Sequence, residues 1–165
     1  MPMKRIATGA ALAAGALAAT ALAFAPTASA AVTPTSATIT ASCGLFGGGT
    51  ATLTATQTSN TTATIELTSS AITTPLALSA NSITSTLTMT NSTGANRVFS
   101  GTVNPAMAAG AAVDIGPLPG TVAVGDSLDF YQGSLKMVVF GITVTCTTSA
   151  AQSPGPFVFT TYTGS

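Results

Sequence analysis

Apolar and polar residues alternate with a period of two through most of the chain beyond residue 35. In TATLTATQ (50–57), Ala51, Leu53 and Ala55 share one phase, and Thr50, Thr52, Thr54 and Thr56 share the other. TTATIELT (61–68) repeats this with Ala63, Ile65 and Leu67 against Thr62, Thr64, Glu66 and Thr68. ITSTLTMT (83–90) repeats it again, with Ile83, Leu87 and Met89 against Thr84, Thr86, Thr88 and Thr90. A two-residue repeat marks a strand with one buried face. Threonine suits the other face, because its branched Cβ favours extended backbone while its hydroxyl meets water. The ladder of Thr-x-Thr pairs also resembles the surface of ice-binding solenoids, but a solenoid needs a constant repeat. Here the pairs begin near 38, 50, 62, 84 and 143, at unequal intervals. The ladder is therefore expected to be the solvent face of an ordinary sheet.

Further strands follow from the same reading. TSATITASC (35–43) places Ala37, Ile39, Ala41 and Cys43 in one phase, NRVFSGTV (96–103) supplies Phe99 and Val103, and SLDFY (127–131) supplies Leu128 and Phe130. PFVFTTY (156–162) adds Phe157 and Phe159. SLKMVVFGITVTCT (134–147) is apolar on both faces around Met137 to Ile142, which predicts a central position in the sheet with Gly141 at a bulge or close approach. Glycine, asparagine and proline punctuate the gaps at GLFGGG, TSN, NSTGAN, VNPAMAAG and GPLPG. No stretch after the leader has helical spacing, so almost no helix is expected there. Seven to nine strands at this spacing predict an antiparallel sandwich or barrel, not a parallel sheet with crossover helices.

The first 30 residues read as an address. Lys4 and Arg5 precede an apolar run from Ile6 to Phe24, and Pro26 and the small triplet Ala28, Ser29, Ala30 follow. This is the pattern of a helical secretory signal peptide cleaved between Ala30 and Ala31. The run approaches the roughly 20 residues of a membrane span. Its alanine content, Gly9, Gly15 and the cleavage triplet favour removal. Residues 31–165 then form a single exported domain with a short irregular lead and a short tail, long enough to bury a real core.

That domain has two basic residues, Arg97 and Lys136, against four acidic ones, Glu66, Asp114, Asp126 and Asp129. Two cations cannot displace the counterions of a nucleic acid, nor hold an anionic membrane by charge. Cys43 and Cys146 both fall in the apolar phase of their strands, and an oxidising compartment predicts a disulfide between them. With a loop of about 100 residues, the chain-entropy model gives on the order of 4 to 5 kcal/mol for that bridge.

Histidine is absent from the chain, so no Ser-His-Asp or Cys-His arrangement and no imidazole zinc site can be built. Asp126 and Asp129 in VGDSLDFYQG are the best candidates for a carboxylate pair of the glycosidase kind. Their positions, at a turn and on an outward strand face, favour structural roles. A calcium site using Asp114, Asp126 and carbonyls would need oxygens the sequence cannot bring together. GLFGGG lacks the lysine of a phosphate loop, and LPGTV (118–122) lacks the sequence context of a sorting signal. Asn60 in NTT and Asn91 in NST fit the glycosylation acceptor pattern of exposed loops. No enzyme activity and no cofactor are expected.

The alanine-rich leader, TASCGLFGGGTATLTAT and VGDSLDFYQGSLKMVVFGITVTCT together resemble a group of small exported actinobacterial two-cysteine β domains of unknown function. In that group one cysteine lies near the start of the mature chain, and a GD-type turn leads through a late strand to TCT. The resemblance covers most of residues 36–148. It implies an immunoglobulin-like sandwich with a disulfide and implies no activity. The expected fold is accordingly an all-β, immunoglobulin-like antiparallel sandwich of about seven to nine strands. The expected role is non-catalytic surface contact, outside the cell or at its envelope, with a cell-wall component or another protein as partner. Alternatives are a self-assembling coat, formed through strand edges that few charges protect, and a carboxylate glycosidase or carbohydrate-binding module.

Overall fold

The computed structural model describes residues 31–164; the expected helical signal peptide and the Ala30 side of its expected cleavage site fall outside the described residues. Among the described residues there are ten strands: β1 (Val32–Thr33), β2 (Ser36–Ser42), β3 (Gly48–Gln57), β4 (Thr62–Thr73), β5 (Thr84–Asn91), β6 (Asn96–Gly101), β7 (Ala112–Thr121), β8 (Ser127–Val139), β9 (Ile142–Thr148) and β10 (Phe157–Phe159). The one helical element among them is a 3-10 turn at Gly44–Phe46. Ala31 is buried, and its carbonyl accepts hydrogen bonds from Thr160 N at 2.7 Å and Thr160 Oγ1 at 2.9 Å.

The strands pair antiparallel in the order β8, β5, β6, β7, β4, β3, β2, β9, and β9 pairs back onto β8. The sheet thus closes into an eight-stranded barrel, which corrects the expected immunoglobulin-like sandwich. Sandwich and barrel impose the same in-and-out alternation on each strand. Closure is decided by the pairing of β2 with β9, Ala41↔Thr148 and Ser42↔Thr147, a contact that leaves no mark on either strand's own pattern. The ring is closed, with its shortest ladders between β2 and β9 and between β6 and β7; β1 and β10 extend it only as a short flap on the start of β8.

The strand phases are those the alternation predicts. Leu53, Ile65, Leu87, Met89, Phe99 and Phe130 are fully buried and belong to one core, as an eight-stranded barrel, just wide enough to be filled by side chains, requires. The strand threonines face outward, the reverse of the lipid-facing pattern of a transmembrane barrel.

Two segments depart from expectation. GPLPG, read as a loop, lies within β7, with Pro117 and Pro119 facing out and a register shift opposite Ile65 and Leu67. Proline donates no ladder hydrogen bond, and β7 meets β6 at a single pair, Phe99↔Gly120. Gly120 is obligatory there because a Cβ would collide with the Phe99 ring. The second departure is 134–147, which is not one central strand; it forms the β8–β9 hairpin.

The register sorts the connections by end. At one end lie the Gly44–Phe46 turn, the β8–β9 turn and the two longer links 74–83 and 102–111. Those links are joined by a bridge between the buried residues Leu78 and Met107. Buried Asn104 fastens them further: its Oδ1 accepts Ser82 N and Ile83 N, both at 2.9 Å, and its Nδ2 donates to Ser79 O and Pro105 O. The opposite end holds the 58–61, 92–95 and 122–126 turns and the start of the described chain.

Candidate functional site

The end carrying the β8–β9 turn is apolar. Val139↔Ile142 is the last pair of the hairpin, leaving Phe140 and Gly141 as a two-residue turn with φ of 50° and 77°. Two positive φ values are what a type I′ hairpin turn requires, and asparagine and glycine are its usual occupants. A bulky aromatic there is an outlier, and left-handed backbone costs a non-glycine residue about 1–2 kcal/mol. The Phe140 ring nevertheless stands 70% exposed, with Ile142 at 62% and Leu76 at 59% beside it. A cleft of about 190 Å³ opens between them, walled by Phe46, Leu76, Leu78, Val139, Phe140 and Ile142, with Pro75 at its margin. No charged residue lines it.

The cleft's position follows from the disulfide. Cys43, at the end of β2, is bonded to Cys146 in β9 across 103 residues, as the shared phase predicted. Cys43 leads directly into the Gly44–Phe46 turn, so the bridge ties the Phe46 wall to the β9 wall. A shallower cleft of about 160 Å³ continues over the bridge along Phe46, Ile142 and Val144.

The sequence pointed elsewhere for chemistry. Asp126 is buried at the opposite end, and both its oxygens are occupied. Oδ2 accepts Arg97 Nε at 2.7 Å and Ala123 N at 2.8 Å; Oδ1 accepts Asn91 Nδ2 at 2.6 Å and an Arg97 terminal nitrogen at 3.1 Å. Burial pushes this carboxyl up, but hydrogen bonds from Arg97, Ala123 and Asn91, with the Arg97 charge, outweigh burial and hold it below its ordinary value. The same hydrogen bond raises Arg97, against a smaller opposing effect of burial. Asp129 Oδ1 accepts Tyr131 N at 2.8 Å and Gln152 N at 3.2 Å. The two aspartates therefore hold different partners, Asp126 the Arg97 and Asn91 side chains and Ala123 N, and Asp129 the Tyr131 and Gln152 amides.

Asp114 lies on the outer face of β7. The suggested calcium set of Asp114 and Asp126 is not assembled: Asp126 is committed to Arg97, and among the described residues no three metal-ligating side chains cluster. Asn60 is exposed in the β3–β4 turn, where its Oδ1 accepts Tyr162 N at 2.7 Å. Asn91 is half-buried in the Asp126 network. Of the sequence-nominated residues, Cys43 meets Cys146 and Asn91 meets Asp126, and the apolar end was missed. The available signal was FG at 140–141 between alternating flanks, a two-residue hairpin turn concealed in an apolar run. No family model, curated protein or solved structure matches this chain.

Proposed function

We propose that the chain is an exported, non-catalytic domain that works by surface contact, outside the cell or at its envelope, through its apolar end. The observation that carries this is Phe140, a large ring displayed at a left-handed backbone position on the rim of a wholly apolar cleft. Strain of this kind is held by the surrounding fold and concentrates at working surfaces. Exposed apolar groups gathered in one patch are the usual sign of a contact site. The disulfide fits an oxidising, extracellular compartment, and the occupied oxygens of Asp126 weigh against an acid and base role for it.

Edge-to-edge assembly into a coat is disfavoured, because a closed ring presents no long unpaired strand. The test is cosedimentation of the purified protein with the isolated cell envelope of its producer, compared with Phe140→Asn and Ile142→Thr. Binding by the wild type with at least a fivefold loss in either variant supports the reading. Equal sedimentation of all three, or none by the wild type, overturns it.

A further inference from the structure

The apolar cleft belongs to a larger uncharged face. The connections at that end, 43–47, 74–83, 102–111 and 140–141, contain no Asp, Glu, Lys or Arg. Segments 75–77 and 105–109 bring only apolar side chains to it, beside exposed Phe140 and Ile142. Its polar exception is 79–82, where the chain runs into β5. The other end carries Arg97, Asp126 and Asp129, so the two ends differ in kind.

The backbone of the two long links is also paired within itself. Thr74 N donates to Ala111 O at 2.9 Å, Gly110 N donates to Thr74 O at 2.7 Å, and Thr74 Oγ1 donates to Ala108 O at 2.8 Å. Leu78 and Met107 exchange both of their backbone hydrogen bonds, at 2.8 and 2.9 Å. Asn104 takes up the Ser82 and Ile83 amides and the Ser79 and Pro105 carbonyls. A loop that faces water can leave such groups to the solvent, whereas hydrocarbon demands that they be satisfied internally. A site that captures an extended peptide has the opposite need, because it must keep backbone groups free to pair.

Charge lies where a headgroup layer would sit. Lys136 is the only charged residue of the 134–147 hairpin, and it is exposed on β8. It stands three residues before Val139, about 10 Å back along the strand from the tip, a distance comparable to the roughly 5–10 Å that interfacial segments penetrate. A lysine at that level can reach lipid phosphates while its stem lies against apolar surface. The barrel wall, with its outward threonines, remains in water.

We infer that the partner of the apolar end is a lipid bilayer, with Phe140, Ile142 and Leu76 among the acyl chains and Lys136 at the phosphates; this rests on the reading of that end as the contact surface. Two cations are too few to hold a membrane by charge, so the apolar side chains do the holding. Binding accordingly needs no anionic lipid and resists salt.

The chain has no tryptophan. Phe140→Trp therefore places a single reporter at the tip, and Tyr131→Trp places one in the far half of β8 as a control. Each is mixed with phosphatidylcholine vesicles, with and without brominated acyl chains, and with phosphatidylcholine–phosphatidylglycerol vesicles, in low and high salt. The expected result is a blue shift and quenching by the brominated chains for Phe140→Trp alone, with affinity changing less than threefold across lipids and salts. The wild type should also float with phosphatidylcholine vesicles, and Phe140→Asn, checked by an undiminished urea midpoint, should bind at least tenfold more weakly. Absence of quenching, quenching of both reporters, binding confined to anionic vesicles and lost in high salt, or a lipid-free dimer abolished by Phe140→Asn overturns the inference. Cosedimentation with whole envelope but not with vesicles would overturn the lipid partner and leave the contact surface standing; failure with both would remove both.

Discussion

At Phe140 the backbone opposes the side chain. Its φ of 50° suits asparagine, and the ring is too exposed to recover much by burial. Phe140→Asn is therefore expected to stabilise the protein by about 1 kcal/mol, read as a higher urea midpoint; a lower midpoint would show that the ring is held by packing and would remove the strain argument. Asp126 behaves in the opposite sense. Its folded carboxyl titrates below the unfolded value of about 3.9, so the stability it contributes is complete above that value and is lost as pH falls through the lower folded one. Asp126→Asn should lower stability at pH 7 by about 1 to 3 kcal/mol, as expected for removing a hydrogen-bonded charge. The variant should also flatten the acid limb of a stability-against-pH curve as pH falls below the unfolded carboxylate value of about 3.9. An unchanged acid limb would mean that other carboxylates carry it.

At the scale of elements, the long links across the apolar end depend on one side chain. Asn104 makes four hydrogen bonds, two on each side of its amide, and these hold the 79–83 stretch as it turns into β5. Asn104→Ala leaves the Ser82 and Ile83 amides without their acceptor and is expected to cost about 1 to 3 kcal/mol, with faster hydrogen exchange at those two amides than at Leu87 in mid-strand. Exchange accelerated equally at all three would mean global destabilisation without a local latch. This network was not legible in VNPAMAAG, where the sequence shows only turn-formers. The strand phases were legible, because Leu53 against Thr52 or Ile65 against Thr64 is a local alternation that any half-buried strand must display. The 134–147 hairpin was not, since Val138, Phe140 and Ile142 read as a second buried face when they in fact crowd an exposed end. In β7, the glycines and prolines of GPLPG mask a strand whose partner ladder is carried mostly by β4.

For the whole molecule, closure rests on two thin seams, each reinforced by a side chain. Between β6 and β7 the single pair Phe99↔Gly120 is covered by the Phe99 ring. Between β2 and β9 there are two pairs, Ala41↔Thr148 and Ser42↔Thr147, and the Cys43–Cys146 bond lies directly beside them. The bridge therefore does more than shorten the unfolded chain: it holds β2 to β9 where the barrel would otherwise part. The paired Cys43→Ala, Cys146→Ala variant is expected to lose about 2 to 5 kcal/mol, the usual consequence of deleting a native disulfide from a small domain. The chain-entropy account alone predicts uniform weakening. The seam account predicts in addition that the Ser42 and Thr148 amides exchange early, through an opening that leaves the β3–β4 ladder protected, because local openings follow the weakest contiguous contacts. If β2, β9 and the β3–β4 pair lose protection together, the bridge acts on the unfolded chain alone and the seam has no separate role.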